Sequence, residues 1–171
     1  LLNAEVSVSE TAPAKIIVHT LKATDKDANT QFSYAITSGN TANGFAINAA
    51  NGEISVAGTF VYEQTSRYVL GVSVSDGVHT ATAQITVNIE AQNNNTPVVS
   101  NATVWVPENS TTGTLVHSVV ATDADAGSSL SYAIVGGNTA NAFYIYPNTG
   151  KIFLNNTLDF ESKTTYTLAI E

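Results

Sequence analysis

Apolar and polar residues alternate along HTATAQITVNIE (79–90). Ala81, Ala83, Ile85, Val87 and Ile89 fall on one side, and Thr80, Thr82, Gln84, Thr86 and Asn88 on the other. A period of two marks a half-buried β-strand. The same alternation runs through Tyr68, Leu70, Val72 and Val74, and again through Tyr166, Leu168 and Ile170. KIIVHTLKA (15–23) and TLVHSVVA (114–121) are β-branched runs that suit strands, and FSYAI and LSYAI follow turn residues. NAANGEI and YPNTGKI carry Asn-x-Gly-type turns, where glycine is free to take positive φ. Strand signals recur every 8–15 residues with no helical stretch. The pattern predicts an all-β fold built of Greek-key sandwiches.

The signals also repeat. ATDKD (23–27) returns as ATDAD (121–125), SYAI (33–36) as SYAI (131–134), and GNTAN (39–43) as GNTAN (137–141), each 98 positions later and without gaps. Phe45, Ile47, Gly52, Glu63, Tyr68 and His19 match Phe143, Ile145, Gly150, Glu161, Tyr166 and His117. A unit of this length is too long for a solenoid repeat and has the size of one sandwich domain. The chain therefore divides into repeat 1 (1–92), a linker (93–97) and repeat 2 (98–171). The linker lies within EAQNNNTP, whose proline closes the last strand of the first repeat. Glu171 aligns with Ser73, so the second sandwich lacks its last strand unless further sequence or another chain supplies it. A chain beginning at Leu1, without Met or a signal-like segment, reads as a piece of something longer.

Composition narrows the function. Charged residues are only 12%, about half the usual quarter, so the polar surface comes from Thr, Ser and Asn. The net charge of −8 repels phosphate backbones and anionic lipid, which argues against nucleic acid as a partner. No apolar run reaches the ~18 residues of a membrane-spanning helix, so membrane insertion is not expected. There is no cysteine, hence neither a disulfide framework nor thiol chemistry. No His-Glu-x-x-His, glycine-rich phosphate loop or recognisable carboxylate pair points to catalysis. The chain is read as non-enzymatic.

The second copy contains Pro107-Glu108-Asn109, Asp123-x-Asp125, Gly137-Asn138, Thr149-Gly150-Lys151-Ile152 and Leu158-Asp159-Phe160-Glu161. The first has Ser9-Glu10-Thr11, Asp25-x-Asp27, Gly39-Asn40, Asn51-Gly52-Glu53-Ile54, Tyr62-Glu63 and Ser75-Asp76. In order and spacing these resemble the motifs of the cadherin-type repeat, over nearly the whole chain. The missing cysteines and the Asn/Thr-rich surface look more like repeats of bacterial surface adhesins than like those of animals. The resemblance implies an extracellular or cell-surface location and Ca²⁺ held between successive domains. It assigns that Ca²⁺ to Glu10 and Glu63 of the first repeat, Asn93 and Asn95 of the linker, and Asp123 and Asp125 of the second. Asp25, Asp27 and Asp76 would face a preceding repeat; Glu108, Asp159 and Glu161 would face a following one. The chemistry agrees, since Ca²⁺ takes six to eight oxygens from carboxylates, carbonyls and amides.

This joint departs from the family pattern. Ala91 and Asn94 stand where two linker aspartates belong, and Val61 stands where the second copy has Asp159. Asparagine keeps an oxygen but drops a charge. Affinity is therefore expected in the weak range of about 10⁻⁴–10⁻³ M typical of extracellular modules.

The implied role is a calcium-binding spacer or adhesion segment whose partners are neighbouring repeats, with homophilic pairing as a further option. The alternative is a calcium-dependent polysaccharide-binding module using Tyr144, Tyr146 and Trp105, which have no aromatic counterparts in the first copy. Bland readings stand beside these. Asp-x-Asp after a strand forms self-capping turns. Asn40 and Asn138 read as backbone-bonding turn residues, and His19 and His117 as structural. Sequons at Asn94, Asn101, Asn109 and Asn155 are read as chance in so Asn/Thr-rich a chain.

Overall fold

In the computed structural model, residues 1–27 and 30–171 are described. They divide into two compact units, Leu1–Asn93 and Asn94–Glu171. Among the described residues the N-terminal unit has seven strands: β1 (Ala4–Ser9), β2 (Ile17–Thr20), β3 (Ser33–Ser38), β4 (Phe45–Ile47), β5 (Glu53–Val56), β6 (Arg67–Ser75) and β7 (Thr80–Glu90). One sheet runs β1-β7-β6-β3 and the other β2-β5-β4. All pairs are antiparallel except β1 with β7, which is parallel. Alternation decides which residues enter the core. Tyr68, Leu70, Val72 and Val74 of β6, and Ala83, Ile85, Val87 and Ile89 of β7, are all buried, and they meet Ile54 and Val56 from the other sheet. Ala81, expected on the same face, is exposed near the start of β7. Phe45, Phe60 and Tyr68 pack ring against ring at centroid distances of 5.2–5.7 Å. Such pairs add to the burial of the rings themselves.

The C-terminal unit contains β8 (Val98–Val99), β9 (Leu115–Ser118), β10 (Ala121–Thr122), β11 (Ile134–Gly136), β12 (Phe143–Ile145), β13 (Lys151–Leu154) and β14 (Ala169–Ile170). The sheet β12-β13-β9 repeats β4-β5-β2. Phe143, Ile152 and Leu154 take the core places of Phe45, Ile54 and Val56. Phe143 meets Tyr166 edge-on at 5.1 Å, and Leu158 packs where the first unit has Phe60. The strand expected over Tyr166–Ile170 is reduced to β14, paired with β11. In the first unit the corresponding strand, β6, lies between β3 and β7, and the stretch aligned with β7 falls past Glu171.

The GNTAN segments are not plain turns. Each forms one 3₁₀ turn, Thr41–Asn43 and Thr139–Asn141, with Ala42, Asn43, Ala140 and Asn141 in the left-handed region. Gly39 and Gly137 precede them at φ +75° and +76°. A Cβ there would run into the carbonyl oxygens of Val69 and Thr167 respectively. Glycine is required twice over, for the dihedral and for the close approach of backbone to backbone.

Gly39→Ala should therefore lower stability by more than about 2 kcal/mol, the sum of left-handed strain and overpacking. Gly77→Ala, at φ +94° in open space, should lose only about 1 kcal/mol. Urea unfolding of the two variants checks this; equal losses would refute the steric half of the argument.

Candidate functional site

The predicted ligands fall in both units. In the N-terminal unit Glu10 follows β1 directly and is 7% exposed. Its Oε2 accepts the Tyr62 backbone N–H at 3.0 Å, and its Oε1 accepts that of Gln92 at 2.7 Å. Glu10 thus ties the start of its repeat both to the 61–65 turn and to the segment leaving β7. Glu63, the next residue along that turn, is exposed and makes no side-chain hydrogen bond among the described residues. Asn93 is exposed at the end of the unit.

In the C-terminal unit Asp125 is 6% exposed. Its Oδ2 accepts the backbone N–H groups of Asn94 and Asn95 at 3.0 and 2.7 Å, and its Oδ1 accepts the Asn95 side-chain amide. Asp123 Oδ1 accepts the Asp125 N–H at 2.8 Å, the Asx turn that shapes the Asp-x-Asp motif. Burial alone would raise the Asp125 carboxyl. The hydrogen bonds from the Asn95 side chain, Asn95 N–H and Asn94 N–H together outweigh it and hold the carboxyl below its ordinary range.

The remaining acids repeat these roles. Glu108 accepts the Phe160 N–H at 3.0 Å, as Glu10 accepts that of its counterpart Tyr62. Asp159 accepts the Ser162 hydroxyl at 2.7 Å and the Ser162 N–H at 3.1 Å, and these bonds lower its carboxyl. Glu161 is exposed. Asp25 accepts the Asp27 N–H at 2.8 Å. Asp76 accepts the N–H groups of His79 at 2.6 Å and Val78 at 2.7 Å, which likewise hold it low. Among the described residues no three His, Asp or Glu side chains converge on a metal-sized site.

Within each unit the donor set suits a hard cation, because every group offers carboxylate or amide oxygen. One feature differs from the sequence expectation. The linker asparagines were expected to present oxygens; here Asn94 and Asn95 give their N–H groups to Asp125. For Asn95 to serve through its amide oxygen, the amide must turn over from its bond to Asp125 Oδ1. Ordinary sequence reading misses this, since an aspartate that caps N–H groups and one that binds a cation look alike.

Asn40 and Asn138 do bond backbone. Each receives a Phe N–H on Oδ1 at 3.0 Å, from Phe45 and Phe143, and returns Nδ2–H to the same residue's carbonyl at 2.8 and 2.7 Å. His19 and His117 pair in register with Ile54 and Ile152, and burial pushes His19 down. Tyr144 and Tyr146 gather with Phe153, an aromatic that the sequence reading left out.

Tandem β-sandwich repeats with buried acids at their ends define an all-β repeat module. The cadherin domain model matches residues 4–90 and 102–171, and the chain belongs to the cadherin family. It is 38% identical over 170 residues to Cadherin EGF LAG seven-pass G-type receptor 1 of Mus musculus, across 97% of this chain and 6% of that protein. It is also 38% identical over 175 residues to Protocadherin Fat 4 of Mus musculus, across 97% of this chain and 4% of that protein. Among solved structures, human Protocadherin-24 EC1-2 superposes with a TM-score of 0.80 at 30% identity, over 98% of this chain and 81% of that one. Mouse Cadherin-23 EC22-24 gives 0.82 at 26% identity, over 93% and 53%. The chain thus spans a small part of the long relatives it matches.

Two outcomes are expected. Asn138→Ala should destabilise the chain by about 1–3 kcal/mol through the stranded Phe143 groups and leave calcium affinity unchanged, as measured by melting and calorimetry. In EDTA, Asp125 contributes stability above the unfolded Asp value of about 3.9. Because its folded pKa is lower still, that contribution fades as pH falls through the folded value. Asp125→Asn should flatten this acid limb in a pH series of melting temperatures.

Proposed function

We propose that the chain is a non-enzymatic, extracellular spacer segment of a larger adhesion protein, stiffened by Ca²⁺ where one repeat meets the next. The observation that carries this reading is the buried pair of carboxylates at the repeat ends. Glu10 and Asp125 are each pinned by backbone N–H groups from the run Gln92–Asn95, one within each unit. Pinning holds carboxylate oxygens in place before a cation arrives. The ligand set is Glu10, Glu63, Asn93, Asn95, Asp123 and Asp125. Asp25, Asp27 and Asp76, and equally Glu108, Asp159 and Glu161, would complete sites with further repeats. Division into repeat 1 (1–92), linker (93–97) and repeat 2 (98–171) belongs to the same reading.

The relatives described above are animal proteins, so composition alone spoke for a bacterial source, and an animal adhesion protein is the reading we adopt. Homophilic pairing fits that class. The polysaccharide alternative finds no support among these relatives; of its candidate residues, Tyr144 and Tyr146 pack with each other and with Phe153 at 5.3–5.6 Å.

Isothermal titration of the chain with Ca²⁺ should give affinity of about 10⁻⁴–10⁻³ M. Glu10→Gln should weaken it at least about tenfold and Asn94→Asp tighten it, because ligand charge sets affinity in oxygen sites. A chain whose melting temperature ignores millimolar calcium would overturn the reading.

A further inference from the structure

All four Asn-x-Thr sequons lie in the linker and second repeat, and their surroundings separate them. Asn155 already donates Nδ2–H to the Asn141 carbonyl at 2.9 Å. Asn94 gives its backbone N–H to Asp125 and accepts Asn95 Nδ2 on Oδ1, inside the candidate calcium joint. Asn109 sits in the turn closed by Ser110 N–H on the Pro107 carbonyl. Asn101, Ala102 and Thr103 are all exposed, and neither the Asn101 amide nor the Thr103 hydroxyl is hydrogen-bonded among the described residues.

The repeat shows which way these side chains belong. Ala102, Val104 and Val106 align with Ala4, Val6 and Val8, which turn toward the core in β1. Asn101, Thr103 and Trp105 align with Asn3, Glu5 and Ser7 on the opposite, outward side. Asn3 uses its Oδ1, accepting the Gln84 N–H at 2.9 Å. A residue held the same way at position 101 keeps Nδ2 for a covalent bond. Four residues along the extended segment, about 13 Å away, stands Trp105, 91% exposed and the only tryptophan. The counterpart Ser7 is exposed even with β7 beside it, so the indole belongs on the outward side of the segment also where the stretch aligned with β7, past Glu171, flanks it.

We propose that Asn101 is an N-glycosylation site and that Trp105 is the apolar platform on which the proximal sugars of that glycan lie. The inference rests on the extracellular reading, since the modification belongs to secreted chains. In the transfer step the Asn101 Nδ2 attacks the anomeric carbon of a lipid-diphosphate-linked oligosaccharide. The C1–O bond to the diphosphate breaks, the lipid diphosphate leaves, and Nδ2 gives up one proton as the N-glycosidic bond forms. Thr103 supplies the hydroxyl that the transferase requires. The apolar face of a sugar ring then covers one face of the indole.

The test is to secrete the chain from animal cells behind a supplied leader and to map sugar by peptide N-glycosidase conversion of Asn to Asp and mass spectrometry. Asn101 should be occupied in most molecules and more fully than Asn155. Asn101→Gln and Thr103→Ala should each remove one glycan, while Thr103→Ser keeps it. The single tryptophan provides a second readout. Emission should be blue-shifted, and acrylamide quenching reduced by about half when one ring face is covered, relative to Asn101→Gln. A secreted chain bare at Asn101 overturns the site. Sugar at Asn101 with Trp105 quenching unchanged overturns the platform. Because the leader supplies the compartment, either failure leaves the extracellular reading to stand or fall on the calcium titration.

Discussion

Carboxylates accepting backbone N–H groups govern the ends of both repeats. Glu10 and Glu108 each anchor the turn that follows the aromatic-lined core, through Tyr62 and Phe160. Glu10 also takes the Gln92 N–H and Asp125 takes those of Asn94 and Asn95. Charge-assisted bonds of this kind are about twice as strong as neutral ones. They let an irregular, proline-stopped segment satisfy its backbone without a strand partner. On the calcium reading proposed above, the same carboxylates would also be ligands, so one set of groups would serve two ends. In this structure they cap the backbone of the linker, Glu10 in one unit and Asp125 in the other.

This double use gives the asparagines a physical rationale. A carboxylate at position 94, beside a carboxylate already buried at Asp125, adds like-charge repulsion that only a cation relieves. Asn94 leaves the N–H contact to Asp125 intact and removes that repulsion. On the proposed calcium reading, the linker would be organised with less dependence on the cation and would bind it more weakly.

Much of the fold was legible because burial imposes a period of two. Leu70, Val72, Ile85 and Val87 alternate in the chain and are fully buried in the sheet. The 98-residue offset carried the reading from one copy to the other, down to the histidines paired in register with Ile54 and Ile152. Less legible were features in which one residue type performs two jobs. Nothing in GNTAN announces a 3₁₀ turn with left-handed alanines, which forms where Asn40 and Asn138 bond the backbone of Phe45 and Phe143. The candidate site was half legible. Motif order named its acids, but whether an aspartate is spent on N–H groups or on a cation depends on where a distant backbone segment lies. The aromatic group around Phe153 was missed because its members come from two strands.

Where the copies agree and where they differ separates folding from function. Gly39 and Gly137, Asn40 and Asn138, and the N–H acceptors Glu10 and Glu108 are identical between repeats, and each answers a backbone constraint. The outward positions diverge. Ala46, Asn48 and Ser55 become Tyr144, Tyr146 and Phe153, and Ser7 becomes Trp105. None of these four changes is demanded by the core, whose residues at Phe143, Ile152 and Leu154 keep their places. Tyr144 and Phe153 are half-buried against each other, whereas Tyr146 and Trp105 stay exposed. The two repeats therefore differ in chemistry on their outward positions, while the shared framework holds those positions in place.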